Sequence, residues 1–522
     1  MNSASLRKTS PINSLITLIT LAFLSIPVFA QTPPPSGSPP RPQGKTTPPP
    51  PQLNQPRPAP RNTPPIPLNQ NLETASLDIT VPASQFFRIN LANGTISLQA
   101  ADGGLTNFDV TITPEIPTVS VNGQFLSGSA FNEGTHIVTI IASTADGRTI
   151  SESFTLTIIE DNSAAATTPS DVSGFENGPS LPANHFAYAD NQTGLPGYYR
   201  NGPTANTDNT PDNNPITNAG ATLGRVLFYD VKLSGNDTTS CASCHQQENG
   251  FSDPNQLSVG FEGGLTGRHS MSLVNARFYE RGRFFWDERA TTLEEQVLLP
   301  IQDAVEMGMT LTELESKLAD TPYYPPLFAD AFGDETVTSE RISLALAQFV
   351  RSIVSFNTKF DSAFTGGNNG VFESVYTEQE LQGLILFGQG GDREGRSLGC
   401  ARCHGTRAHV SDDVHNNGLD ITVTGDDGAG NKRFKSPSLR NIALTAPYMH
   451  DGRFSTLEEV IEFYDGGVQG HPELDNRLTG PGGRPRRLNM SNDEKAALLA
   501  FLGTLTDATL QTDIRFSDPF NQ

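Results

Sequence analysis

The chain has 522 residues, long enough for three or four domains, and sets 57 acidic against 35 basic residues for a formal charge of -22 at pH 7. That balance argues against nucleic acid or an anionic membrane surface as partner. It suits a basic redox partner, or simply a solvated acidic surface.

Residues 1–30 read as a secretory signal peptide: Arg7 and Lys8 precede an apolar core from Leu15 to Ile26, and Val28-Phe29-Ala30 offers a small-residue cleavage site before Gln31. The core is too short for an ordinary membrane span, an uncleaved anchor being the alternative. The expectation is an exported, periplasmic protein with no membrane span in its mature form. Residues 31–72 are dominated by proline, as in Pro48-Pro49-Pro50-Pro51, and read as a disordered, extended linker.

From 73 to 161 the period changes to two. Leu77 to Val81, Phe108 to Ile112 and Phe154 to Ile158 alternate apolar and polar residues, and Asn93-Gly94, Asn122-Gly123 and Asp146-Gly147 supply turns. This predicts a small all-β sandwich, similar to immunoglobulin-like or cadherin-like repeats, serving as a docking module or a stalk; His136 within it reads as structural. Residues 162–219 form a linker and irregular lead-in.

Cys241-Ala-Ser-Cys244-His245 carries the first clear chemistry. Two thiols three positions apart with a histidine after the second form the attachment signature for c-type haem: the thiols bond to the haem vinyl groups and the imidazole reaches the iron. Cys400-Ala-Arg-Cys403-His404 repeats the pattern, and the two copies use all four cysteines. Two covalently attached haems are therefore expected. The surroundings repeat as well. Gly224 to Phe228 ends thirteen residues before Cys241, and Gly383 to Phe387 thirteen before Cys400. Ser270 to Asn275 is echoed by Ser436 to Asn441, and Asp287 to Glu295 by Asp451 to Glu459. The fold expected is multidomain: two mainly α, cytochrome c-like haem lobes at 220–360 and 361–522 behind the β-sandwich. Capping-box spacing marks helix starts at Thr292, Thr377, Thr456 and Ser491, and Ile342 to Ile353 and Ala496 to Leu505 read as closing helices.

The repeat lets the two irons be compared. In the second lobe Leu457, Val460, Ile461 and Tyr464 share a helix face; the matching first-lobe positions are Leu293, Gln296, Val297 and Pro300. A tyrosine can ligate iron and a proline cannot. The second iron is thus closed by Tyr464 and the first left open, unless Tyr464 is a hydrogen-bonded core tyrosine.

Phe284 to Arg289, Thr292 to Gln296, Pro300, Val305 to Gly308, Pro437 to Asn441 and Thr445 to Gly452 together resemble the bacterial dihaem cytochrome c peroxidase and MauG-like family, over roughly residues 220–506. The resemblance implies His245 and His404 as proximal ligands, Glu306 as distal acid/base with Gln296 beside it, and Trp286, the only tryptophan, as carrier between the haems. Arg440 would lie near haem propionates. Family members that need reductive activation carry a distal histidine where this chain has Phe261, His269 being the nearest alternative ligand. Methionine is common at the position of Tyr464, and tyrosine belongs to the MauG-like branch. Calcium between the lobes is also implied, held by the carbonyls of Thr445 and Pro447, but His269 stands at the asparagine position. His409, His415 and His471 read as structural, the first two as reserve axial ligands.

The function implied is an exported peroxidase that reduces hydrogen peroxide at the first haem, with electrons passed through the second. The donor would be a small c-type cytochrome or cupredoxin, and a homodimer occurs in the family. The alternatives are a MauG-like oxidase that modifies a partner protein through a high-valent iron state, and a non-enzymatic electron-transfer cytochrome.

Overall fold

A computed structural model describes residues 79–82, 86–90, 105–114, 119–122, 125–129, 134–144, 149–159, 168–189, 193, 195–364, 370–391, 393–410, 413–421 and 425–520. The signal peptide and the proline-rich linker expected at 1–30 and 31–72 lie outside them, as do the turns at Asn93-Gly94 and Asp146-Gly147.

The alternating region forms seven strands: β1 (Ile79–Pro82), β2 (Phe86–Asn90), β3 (Leu105–Thr113), β4 (Val119–Asn122), β5 (Phe125–Ser129), β6 (Gly134–Thr144) and β7 (Thr149–Ile159). They make a four-stranded sheet in the order β1-β7-β6-β3 and a three-stranded sheet β2-β5-β4. Pairing is antiparallel except between β1 and β7. Val138, Ile140, Phe154, Leu156 and Ile158 are buried while Ile137 and Ile141 face out, as a period of two requires. His136 donates from Nδ1 to the Pro114 carbonyl at 2.7 Å, a structural role.

The haem region is mainly helical, built around α1 (Asn218–Tyr229), α2 (Leu293–Gln296), α3 (Ser339–Ser352), α4 (Glu378–Phe387), α5 (Leu457–Glu462) and α6 (Asn492–Gly503). None of the helices among the described residues is long and apolar enough to cross a membrane. The expected capping boxes form at Thr377, Thr456 and Ser491. At α2 only half of the box forms. Thr292 accepts from the Glu295 N–H, but the Glu295 carboxylate reaches one residue further back, to the amide and hydroxyl of Thr291.

The sequence repeat becomes a repeat of packing. In each lobe the helix before the cysteines crosses the closing helix at a glycine. A methyl on Gly224 would collide with the Ala345 carbonyl in α3, and one on Gly383 with the Ala497 carbonyl in α6. Phe349 and Phe501 fill the same place beside these crossings. Asn275 and Asn441, both left-handed at φ 61°, then tie each lobe to the segment after its closing helix. Asn275 donates its N–H to Ile353 and accepts from Ser355; Asn441 does the same with Leu505 and Asp507.

Gly383→Ala should therefore destabilise the holoprotein by about 1–3 kcal/mol or more, because backbone must move. Gly503→Ala, with nothing within 4 Å of the added methyl, should be neutral or slightly stabilising. Paired denaturant melts check both.

Candidate haem sites

In the first lobe Cys241–Cys244 is a single helical turn capped by Ser240, which sets both thiols on one side and brings His245 round behind them. The His245 Nδ1–H has two acceptors, the Phe251 carbonyl at 3.1 Å and Ser270 Oγ at 3.2 Å. Ser270 in turn donates to the Cys244 carbonyl at 2.6 Å. That tautomer leaves the Nε2 lone pair for a metal. Burial lowers the imidazole pKa and keeps it neutral, and pushes the thiols up, Cys241 to about 12 and Cys244 to about 11. All four cysteines are free of disulfides. Half-buried thiol pairs beside a neutral imidazole with a free lone pair fit a covalently held haem.

Glu306 faces the same place, since its charge acts on both Cys241 and Cys244. Its own pKa is raised, first by burial and then by Asp303. Asp303 Oδ1 shapes the loop by accepting from the amides of Val305 and Glu306. The Gly260–Gly263 loop is stapled onto it. Phe261 N–H donates to the Glu306 carbonyl at 3.1 Å, Gly260 lies against the Val305 carbonyl, and the Phe261 ring covers Gly308. Phe261 thus holds the Glu306 loop in place. Gln296 ends α2 and is half-buried.

In the second lobe a cavity partly open to solvent is lined by Cys400, His404 and Tyr464. Apolar side chains, among them Leu398, Leu439, Ile442 and Leu498, make up much of the rest of its lining, which suits a flat, largely apolar cofactor. Leu457, Val460, Ile461 and Tyr464 all line it, the shared face expected from their spacing. Tyr464 lies in a π-helical turn, Phe463–Gly467, that continues α5; Pro300 instead sits in the first turn of a new helix, Leu299–Gln302. Burial pushes the Tyr464 phenol up to about 12, against an opposing hydrogen bond from Asn417. His404 is neutral, its pKa lowered by burial to about 4 against opposing backbone contacts from Pro437 and His409.

The lobes meet through a reciprocal exchange. His269 N–H donates to the His450 carbonyl and Lys435 N–H to the Trp286 carbonyl, each at 2.8 Å. The repeat makes His269 equivalent to Lys435 and Trp286 equivalent to His450, so corresponding residues trade places across the interface. Trp286 and His450 are in edge contact at 6.5 Å, and His450 stacks on Phe434 at 3.6 Å. Both residues line the second-lobe cavity, as do Thr445 and Pro447. The preceding residues, Phe285 and Met449, both carry positive φ, 70° and 75°. Such strain persists only where surrounding contacts impose it.

Arg440, expected near haem propionates, has its guanidinium committed to protein partners. All five of its N–H groups are taken: by Asp361 through a bidentate pair at 2.6 and 2.9 Å, by Thr358 Oγ1 and by the Arg407 carbonyl. His269 is not a distal ligand to the first iron. It lies behind His245, on the Nδ1 side, with both ring nitrogens facing protein oxygens. His409 sits in the core at the place of Phe251, ringed by Phe360, Phe387 and Phe501. His415 pairs with Asp475 at 2.8 Å. His471 Nδ1 accepts from Asn416 and the Glu473 amide. Asn417, Ser270 and His450 went unnoticed in the sequence; only His450 left a signal there, as the repeat partner of Trp286.

Residues 218–369 match the family of the di-haem cytochrome c peroxidase. The methylamine utilization protein MauG of Methylophilus methylotrophus is 33% identical over 311 residues, 58% of this chain and 86% of that protein. The cytochrome c551 peroxidase of Nitrosomonas europaea is 32% identical over 309 residues, 57% and 81% of the two chains. Among solved structures, a MauG-like protein associated with microbial copper homeostasis is similar at 35% identity and a TM-score of 0.53, over 63% of this chain and 99% of that one.

The Arg440–Asp361 pair, both side chains at 0% exposure, provides a test. Asp361→Ala leaves the guanidinium unpaired and should destabilise the protein by about 3–5 kcal/mol, read by thermal unfolding, with little change in the haem absorption of the folded fraction.

Proposed function

Because the chain belongs to the di-haem cytochrome c peroxidase and MauG-like family, we propose that it is an exported c-type peroxidase that reduces hydrogen peroxide in its first lobe with electrons drawn through its second. One observation carries this reading: Tyr464 and His404 line the same cavity, while Phe261 and Pro300 offer the first lobe nothing that ligates. Cys241, Cys244 and His245 would hold one haem, and Cys400, Cys403, His404 and Tyr464 the other. When bound, the haems supply the redox-active irons.

The remaining work belongs to side chains. Glu306, as carboxylate, accepts a proton from one peroxide oxygen and returns it to the other, which leaves as water. Two electrons and two further protons complete reduction to a second water. Gln296 helps to orient the peroxide, and Trp286 carries oxidising equivalents between the lobes. A small cytochrome or cupredoxin supplies the electrons, its basic face matched to the acidic chain. The signal peptide exports the protein, the proline-rich segment spaces it, and the strands form an immunoglobulin-like sandwich that docks or extends it.

A second reading is favoured by Tyr464. A hard, anionic phenolate stabilises oxidised iron and makes the second lobe a poor acceptor of ordinary electrons. A MauG-like oxidation of a partner protein then replaces peroxide disposal, and new covalent mass on a candidate partner after peroxide treatment distinguishes the two.

Glu306→Gln should lower peroxide turnover by roughly 10²–10⁴-fold. In the native protein activity should fall as pH drops through the Glu306 pKa, which burial holds above the ordinary glutamate value; the variant should lose that limb. Tyr464→Met should raise the reduction potential of one haem only, measured by spectroelectrochemistry. A ferric EPR spectrum with two low-spin, six-coordinate signals and no high-spin one would return the chain to plain electron transfer.

A further inference from the structure

We propose that His269 is a positioning residue that joins the proximal ligand of the first site to Trp286 and to the second lobe, and that this imidazole does by hydrogen bonds what a cation between the lobes would otherwise do, leaving the protein independent of calcium.

The imidazole is 5% exposed and touches oxygen on every polar edge. Its Nδ1–H donates to the carbonyls of Asn255 and Gln256 at 3.2 and 3.3 Å, and Nε2 stands 3.3 Å from Ser252 Oγ. The single Ser252 hydroxyl proton goes to the Ser270 carbonyl at 2.7 Å, so Nε2 meets Ser252 Oγ as a packing contact, and Ser270 Oγ accepts from His245 Nδ1–H. The ring is thereby two hydroxyl groups away from the imidazole that faces the iron. The backbone of the same residue works in the other direction. Its carbonyl accepts from the Trp286 indole N–H at 2.8 Å, and its N–H donates across the lobes to His450. Gln256, whose carbonyl His269 grips, reaches across as well, to the Asp451 carbonyl at 3.0 Å. One residue therefore fixes the height and tilt of the tryptophan, the loop beneath it and the register of the two lobes.

Calcium does not fit this arrangement. It needs six to eight oxygen ligands, and a side chain at position 269 would have to join the carbonyls of Thr445 and Pro447. Both nitrogens of His269 are directed elsewhere, and imidazole nitrogen is a poor partner for so hard a cation. Among the described residues no group of three His, Cys, Asp or Glu side chains could hold a metal either. The job of tying the lobes together is done by neighbours of opposite charge: Arg268 grips Asp426 across the interface at 2.5 and 2.8 Å and Asp287 at 2.8 Å, and Lys435 is buried against Glu288 at 2.9 Å. Burial lowers the His269 pKa, so the neutral ring with Nδ1 protonated is the form that makes these bonds near neutral pH.

The inference rests on the proposed function only through His245 as haem ligand, and its readouts stand whether or not peroxide is turned over. Trp286 is the only tryptophan, so its emission lifetime in the intact holoprotein reports this locus. Elemental analysis after dialysis against chelator and then excess calcium should find no stoichiometric calcium, and the lifetime and ferric EPR line shapes should be the same in both buffers. His269→Asn should raise calcium affinity roughly 10-fold or more and make the lifetime calcium-dependent. His269→Ala should alter the lifetime with or without calcium. Stoichiometric calcium in the native protein, a His269→Asn protein indifferent to calcium, or an unchanged lifetime in His269→Ala would each overturn the proposal.

Discussion

Two backbone hydrogen bonds, His269 to His450 and Lys435 to Trp286, set everything between the lobes. Because the donors are equivalent in the repeat, and the acceptors likewise, the contact is reciprocal, and forming one bond brings the groups of the other into place. The consequence is geometric. Trp286 and His450 have to face each other, and the walls of the second-lobe cavity have to include residues from the first lobe. Near this pair the interface carries paired charges, Lys435 with Glu288 and Arg268 with Asp426, whose removal one at a time would leave a desolvated ion unpaired.

On that nearly symmetric frame a few substitutions make the lobes unlike. Phe251 becomes His409 behind the second proximal ligand, Trp286 becomes His450, His269 becomes Lys435, and Pro300 becomes Tyr464. The first three pairs keep their backbone roles: Phe251 and His409, for instance, share a positive φ, 57° and 52°, and accept from Leu273 and Leu439 respectively. Pro300 and Tyr464 differ in backbone as well, a new helix against a π-helical turn. Chemistry can therefore diverge between the lobes without disturbing the glycine crossings at Gly224 and Gly383 or the clamps at Asn275 and Asn441. Duplication supplied the frame, and asymmetry entered mainly by side chain.

Much of this was legible in the sequence because the signals are local. The turn that sets two thiols beside an imidazole depends on five consecutive residues, helix starts on a four-residue cap, and the cavity face of α5 on spacing over seven. Failures came where the partner is distant along the chain. Asp361 lies 79 residues before Arg440, so nothing near Arg440 hinted that its guanidinium was already committed. His269 looked like a ligand in search of iron because histidine after a glycine-rich loop is ambiguous; its acceptors, Asn255 and Gln256, are backbone carbonyls, which composition hides. The half-formed cap at Thr292 failed for a local reason, the Thr291 hydroxyl competing for the same carboxylate.

Tyr464 draws these threads together. Its phenol is pushed up to about 12 by burial, so in a site without a cation it would stay protonated at neutral pH. A metal reverses that preference in proportion to its charge. Ferric iron does so more strongly than ferrous, which means that the phenolate is selected by the oxidised state and lost most easily on reduction. The apolar wall of Leu457, Val460 and Ile461 that disfavours the free phenolate would also exclude water competing with it for a cation. The π-helical turn supplies the geometry, since it keeps Phe463 buried in a separate apolar cluster with Leu419 and Val468 while its neighbour lines the cavity. Where the first lobe places Pro300, neither the π-helical turn nor a phenol is available, and this step in the repeat separates the two sites most in chemistry.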